Sequence, residues 1–309
     1  MYTFNNRKNK KVYVENHSLS IGTNSNKYTN WDKYYDDSTY NSGVVMFASA
    51  GNSYPYVGSP GKALNVITVG SYDDSSNMMS PTSSYLNSEI GNQKPEIVAP
   101  GVNIDVAGQT GLSGTSFSSP HAAGFAADLM SKYSWFKGRP YYMKAKMIAG
   151  ATDKIDGGYN KTGAGGINFS GAVYNGVQRF YEGSNAYFQF VDQGYDDNLN
   201  NGYIDWDVDI PAGVKTRIVI SWSTRGTYTY DNRKTTEPLG ADYDLKVKDP
   251  NGNLVTPIAP TTNPAHSRRN SFEVIDFIST GGIHTIQIEQ YTNNDSSLRM
   301  QMGVVVEWL

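Results

Sequence analysis

Two hydrophobic rhythms divide the chain. Up to about residue 175, apolar runs alternate with segments of helical spacing. Val44 to Ala48 is an almost continuous apolar run that ends in small residues and an amide, Ser49 to Asn52. Such a run predicts a buried parallel strand covered on both faces. From Gly114 to Gly124 the chain reads GTSFSSPHAAG, which opens a predicted helix reaching about Tyr133. The small residues Ala122, Ala123, Gly124, Ala126 and Ala127 let that helix pack closely. A further helix is predicted around Tyr141 to Ala149. An aromatic-rich, helical stretch holds Trp31, Tyr34 and Tyr35 together with Asp32, Asp36 and Asp37, and the three aspartates read as a solvated helix face. Strands alternating with helices predict an α/β unit, a parallel sheet with helices on both faces, over residues 1–177.

After that point a period of two takes over. TRIVISW (Thr216 to Trp222), YDLKVKD (Tyr243 to Asp249), SFEVIDF (Ser271 to Phe277), HTIQIEQY (His284 to Tyr291) and MQMGVVVEW (Met300 to Trp308) alternate in the manner of strands. Pro250-Asn251-Gly252 and Gly281-Gly282 punctuate them as turns. Residues 178–309 are therefore expected to form an all-β antiparallel sandwich.

Composition narrows the possibilities. A chain of 309 residues can bury a sizeable core in two domains. A net charge of −3 gives no footprint for nucleic acid or an anionic membrane. With no cysteine, neither disulfides nor thiolate metal sites are available. No apolar run reaches the roughly 18 residues of a membrane span. The polar, basic start from Met1 to Lys11 lacks the apolar region of a signal peptide.

The candidate chemistry gathers at Ser116. A serine at the mouth of a helix faces free backbone N–H groups and the positive helix end, which favour the negative charge of acyl transfer. On its own, Gly-Thr-Ser also fits an ordinary helix start. The full run Gly114 to Gly124, however, resembles the active-serine motif of the subtilases, the subtilisin-like serine peptidases. Further segments agree in order: VENHSLSIG (Val14 to Gly22), GVVMFASAGN (Gly43 to Asn52), SPGKALNVITVGSYDD (Ser59 to Asp74), KPEIVAPGVNI (Lys94 to Ile104) and the glycine-rich GAGGINFSGAVYNGV (Gly163 to Val177). The resemblance implies that Ser116 is the nucleophile and Asn52 the oxyanion donor. It implies an extended polypeptide substrate lying against Ser18, Leu19 and Ser20, by strand addition, and against the edge near Ala50 and Gly51, with Gly114 and Thr115 also among the substrate-binding residues. Ser20 stands where the family usually has glycine.

A serine needs a base, and the base an orienting acid. The Asp-Thr-Gly and His-Gly-Thr-His contexts that carry these in subtilases are absent here. Of the four histidines, His17 lies in the cleft-wall strand, His121 in the serine helix, and His266 and His284 in the β-rich part. The chain thus resembles the C-terminal portion of a peptidase domain, with its Asp and His expected from an N-terminal segment. The other reading is a non-catalytic binding or scaffold protein that uses its β-sandwich. An extracellular location follows from the resemblance. No cofactor is expected for catalysis. Structural calcium is a possible exception at DDNLNNG (Asp196 to Gly202), where Asp196, Asn198 and Asn200 offer oxygens, with Asp205 and Asp207 beyond. A solvated turn explains that loop equally well. Asp242 and Asp244, two apart in a strand, would share a face and join a second site. The run ADYDL (Ala241 to Leu245) is similar to the jelly-roll domains that follow some secreted subtilases.

Overall fold

The apolar run of Val44 to Ala48 becomes the centre of a sheet. The computed structural model of the chain describes residues 11–21, 25–53, 55–174, 176–183, 203–228, 238–258, 268–295 and 297–309. Strands β1 (Val14–His17), β2 (Val45–Ser49), β3 (Ile67–Asp73) and β5 (Ile97–Pro100) are parallel, with registers His17↔Ala48, Phe47↔Ile67 and Val69↔Ile97. The two-residue β4 (Met78–Met79) runs antiparallel to the end of β3. A hairpin of β6 (Ile104–Val106) and β7 (Gln109–Leu112) leads into the serine helix.

Both faces of β2 are covered, as its unbroken apolar run requires. Val45 and Phe47 pack with Ala122, Ala123 and Ala126 of α2 (Thr115–Lys132). Met46 and Ala48 join Tyr35 of α1 (Asn30–Ser42) on the other face. Ala122, Ala123 and Ala126 are thus the small residues that bring α2 onto the sheet, whereas Gly124 and Ala127 face outward. A third helix, α3 (Pro140–Ala149), completes the layer and is buried at every residue.

Helix α1 corrects the reading of its aspartates. Asp32 closes a capping box with Thr29, and Asp36 accepts from the backbone N–H of Leu64 and Asn65 and from the Tyr28 hydroxyl. Both are fully buried. Asp37 accepts from the amide and hydroxyl of Thr227. Burial raises the Asp36 carboxyl to about 7, against the hydrogen bonds that favour its ionised form. Helical spacing puts these three residues together, but their partners come from elsewhere in the chain, so the face is a polar contact and not a solvated one.

The five strands predicted after residue 175 all form, and two more join them. The boundary read at residue 177 falls on the first residue of β8. Strands β8 (Val177–Gly183), β10 (Lys215–Trp222), β12 (Phe272–Ile278) and β14 (Met300–Trp308) make an antiparallel sheet in the order β12-β10-β14-β8. Strands β9 (Tyr203–Ile210), β11 (Ala241–Lys248) and β13 (Gly282–Asn293) make a second, ordered β11-β13-β9. Between the sheets lie Trp206, Ile218, Ile220, Trp222, Leu245, Phe277, Ile288 and Val304.

The outer face of the first sheet is buried too, because Val219, Phe272, Val274 and Val305 pack with α3. The polar members of these alternating strands are therefore enclosed. Arg217 pairs with Asp276 at 2.7 Å and donates to the carbonyls of Ile148, Ala151 and Ala164 around the end of α3. Glu307 pairs with Lys146, and burial nevertheless raises its carboxyl to about 7. Beneath α3, Glu96 accepts from both Lys94 and Lys144 at 2.7 Å.

Candidate active site

Ser116 occupies the second position of α2, at the carboxyl ends of the parallel strands. Gly114, the residue just before the helix, has φ of 153°, and a Cβ there would stand 3.1 Å from Asn52 Nδ2, so only glycine suits both the backbone and its neighbour. Pro120 has no N–H to return to the carbonyl four residues earlier, which is that of Ser116. The Ser18 hydroxyl fills this gap, donating to Ser116 O at 2.9 Å. Asn16 continues the chain of contacts, donating from Nδ2 to Ser18 Oγ and accepting from Ser119 Oγ at 2.6 Å. The end of β1 is thereby fastened to the first turn of α2.

Asn52 is oriented by Thr115. Its Oδ1 accepts from Thr115 N at 2.9 Å and from Thr115 Oγ1 at 3.0 Å. A backbone N–H can only donate, which identifies the accepting atom as oxygen and turns Nδ2 the other way. The Thr115 hydroxyl also accepts from Gly51 N at 3.1 Å. Thr115 is completely buried, so its side chain positions Asn52 and does not line a cleft.

The remaining candidates divide between two walls. Ser18, Leu19 and Ser20 are exposed, beyond the last paired residue of β1. Opposite them the backbone is already engaged. Ala50 donates to Val69 O and accepts from Gly58 N; Gly51 donates to Thr115 and accepts from Ser84 N. The wall at Ala50 and Gly51 therefore has no N–H left for a peptide, and main-chain pairing is available only along Ser18–Ser20.

The three histidines among the described residues are engaged away from Ser116. His17 projects to the α1 face, where its ring meets Tyr35 edge-on and its Nδ1 lies 3.2 Å from the Tyr35 hydroxyl. His121 Nδ1 is 2.9 Å from the Pro100 carbonyl, and the buried His284 Nδ1 is 2.9 Å from the Gly282 carbonyl. His266 lies outside the described residues, as do Asp196, Asn198 and Asn200. Asp205 and Asp207 are on the outward face of β9, bonded to Gln287 and Thr285 across the sheet. They are the polar half of an alternating strand whose other half, Ile204, Trp206, Val208 and Ile210, is core. Asp242 is buried, while Asp244 is half-buried and stands opposite Glu289. Among the described residues no three histidine or acidic side chains gather as a metal site.

The residues missed from sequence are Asn16, Ser119 and the positioning role of Thr115. Pro120 carries a usable signal for Ser18, since a proline early in a helix announces one carbonyl in need of a donor.

Comparison with known proteins identifies the family. The subtilase family model, peptidase S8, matches residues 2–166. A subtilisin of Bacillus sp. (strain TA39) is 36% identical over 142 residues, covering 40% of this chain and 33% of that protein. The serine protease AprX of Bacillus subtilis (strain 168) is 29% identical over 191 residues, covering 50% and 42%. Among solved structures, the prenylagaramide maturation protease PagA superimposes with a TM-score of 0.48 at 26% identity, over 56% of this chain and 65% of that one. The chain spans between a third and about two fifths of the length of these two curated relatives. Because the matched region takes in more than half of its residues and holds both Ser116 and Asn52, the chain belongs to the subtilase family.

Proposed function

We propose that this chain is the serine-bearing part of a subtilisin-like serine endopeptidase. Ser116 attacks the scissile carbonyl and forms the acyl-enzyme. The tetrahedral oxyanion is held by Asn52 Nδ2 and by the N–H of Ser116, which lies in the first turn of α2, where an N–H has no intrahelical acceptor. The observation that carries this reading is the double acceptance by Asn52 Oδ1, which sets the amide nitrogen outward before any substrate arrives. Preorganised donors of this kind cost nothing to reorient during the reaction.

The base and its orienting carboxylate come from an N-terminal segment that carries the Asp and His contexts. Two features support this. The described histidines are engaged elsewhere, and β1 stands at the end of the sheet, with β2 its strand partner among the described residues. The substrate is an extended polypeptide adding along Ser18–Ser20. The site of action is extracellular, the location that the likeness to subtilisins implies.

Labelling of Ser116 with a fluorophosphonate tests the reading, on the chain alone and with an added segment bearing Asp-Thr-Gly and His-Gly-Thr-His. Labelling that requires the segment is expected. A folded chain that stays unlabelled in both states is instead a binding or scaffold protein.

A further inference from the structure

β1 and β2 are hydrogen-bonded neighbours as far as His17↔Ala48, and beyond their carboxyl ends they part to leave a slot between Ser18–Ser20 and Ala50–Asn52. Ser116 stands at its mouth, tied to Ser18. The far end is shut. Ile21 N donates to Ser59 O at 2.7 Å, and Gly58 N donates to Ala50 O at 3.1 Å. Between these two links Ser20 and Gly58 meet: a Cβ on Gly58 would lie 2.6 Å from Ser20 Oγ and 3.0 Å from Ser20 Cβ. The hydroxymethyl group of Ser20 thus fills the gap between the two backbones. This closure is braced from behind. Ser59 is buried and donates from Oγ to Asp32 Oδ2 at 2.8 Å, the same carboxylate that caps α1 through Thr29.

We propose that Ser20 sets the depth of the slot, so that the residue whose carbonyl Ser116 attacks must carry a small side chain: glycine, alanine or serine. This inference rests on the peptidase reading above. A larger side chain entering between the walls meets Ser20, whose backbone is held by the Ile21–Ser59 bridge and whose side chain abuts Gly58, so Ser20 cannot retreat without breaking that bridge. The Ser20 hydroxyl also offers one polar contact, which suits a serine side chain.

The test uses the absence of cysteine from the chain. In a Ser116→Cys variant the single thiol is alkylated by peptidyl chloromethyl ketones, the thiolate displacing chloride, without any catalytic base. Rates for reagents ending in alanine or phenylalanine are compared with iodoacetamide. The alanine reagent is expected to react roughly 10-fold or more faster than the phenylalanine one, on the scale of pocket discrimination by size. Adding Ser20→Gly removes most of that preference, and adding Ser20→Ala, which keeps the Cβ, retains it. Peptidyl reagents that outpace iodoacetamide with no preference between alanine and phenylalanine would overturn the proposal alone. Peptidyl reagents no faster than iodoacetamide would overturn the peptidase reading with it, since no peptide would then be held beside residue 116.

Discussion

Pro120 removes one hydrogen bond from the helix that carries the nucleophile, and Ser18, just past the end of β1 and 98 residues away in sequence, supplies the replacement. That exchange fixes Ser116 against the cleft wall, while Thr115 fixes Asn52. With a base supplied, Asn52→Ala should slow labelling of Ser116 by about 10²–10³, a range taken from subtilisin's own oxyanion asparagine. Thr115→Val keeps the shape and the backbone bond but loses the hydroxyl. The hydroxyl makes two hydrogen bonds, one to Asn52 Oδ1 and one from Gly51 N, so its loss predicts labelling roughly 10-fold slower and, from the orphaned Gly51 N–H, a stability cost of about 1–3 kcal/mol read from urea denaturation. Labelling rates for the two variants measured side by side check both expectations. Ser116 and Asn52 were legible as motifs because each sits in a distinctive local run. The Thr115–Asn52 and Ser18–Ser116 contacts were not, since each joins segments that only the folded sheet brings together.

At the level of elements, the strands were read from alternation and the helices from spacing, and the failures have one cause. Periodicity assigns a polar residue to a face without saying what covers that face. Asp32, Asp36 and Asp37 lie on one side of α1, and Arg217, Asp276 and Glu307 on one side of their sheet, yet the chain's own segments cover both sides. The reverse error touched Asp205 and Asp207, where a metal-loop reading obscured the regular alternation of YIDWDVDI in β9. Replacing Arg217 by methionine removes the buried partner of the Asp276 carboxylate, leaving only Lys215 at 3.8 Å, and a donor from three carbonyls. This should cost about 3–5 kcal/mol, the usual penalty for breaking a buried pair from one side, as read from urea denaturation. Adding Asp276→Asn should recover part of the loss.

A loss of stability toward higher pH follows from the same enclosed groups. Asp36 and Glu307 have folded-state carboxyls raised to about 7 from ordinary values of 3.8 and 4.5. Between roughly pH 4 and 7 the folded chain holds protons that the unfolded chain has released, so the contribution of these groups falls as pH rises through that interval. Above pH 7 it levels off at its lowest value. The urea midpoint should therefore be higher at pH 5.5 than at pH 8, and Glu307→Gln should reduce the difference. An unchanged slope in that variant would assign the effect to other groups.

Over the whole molecule, the four-stranded sheet is shared: one face closes the β-sandwich and the other backs the α/β unit through α3. The division of the five tryptophans gives this arrangement an optical consequence. Trp206 and Trp222 lie inside the sandwich and Trp308 packs on the same cluster, whereas Trp31 and Trp135 of the α/β unit are 43% and 42% exposed. Short-wavelength indole emission thus reports on the sandwich, while helical ellipticity reports on α1, α2 and α3. Because the two units meet through a dry sheet face and buried ion pairs, both signals should change at one urea concentration. Separate midpoints would mean that the shared sheet does not couple the two units, and each half would then have its own colour of unfolding.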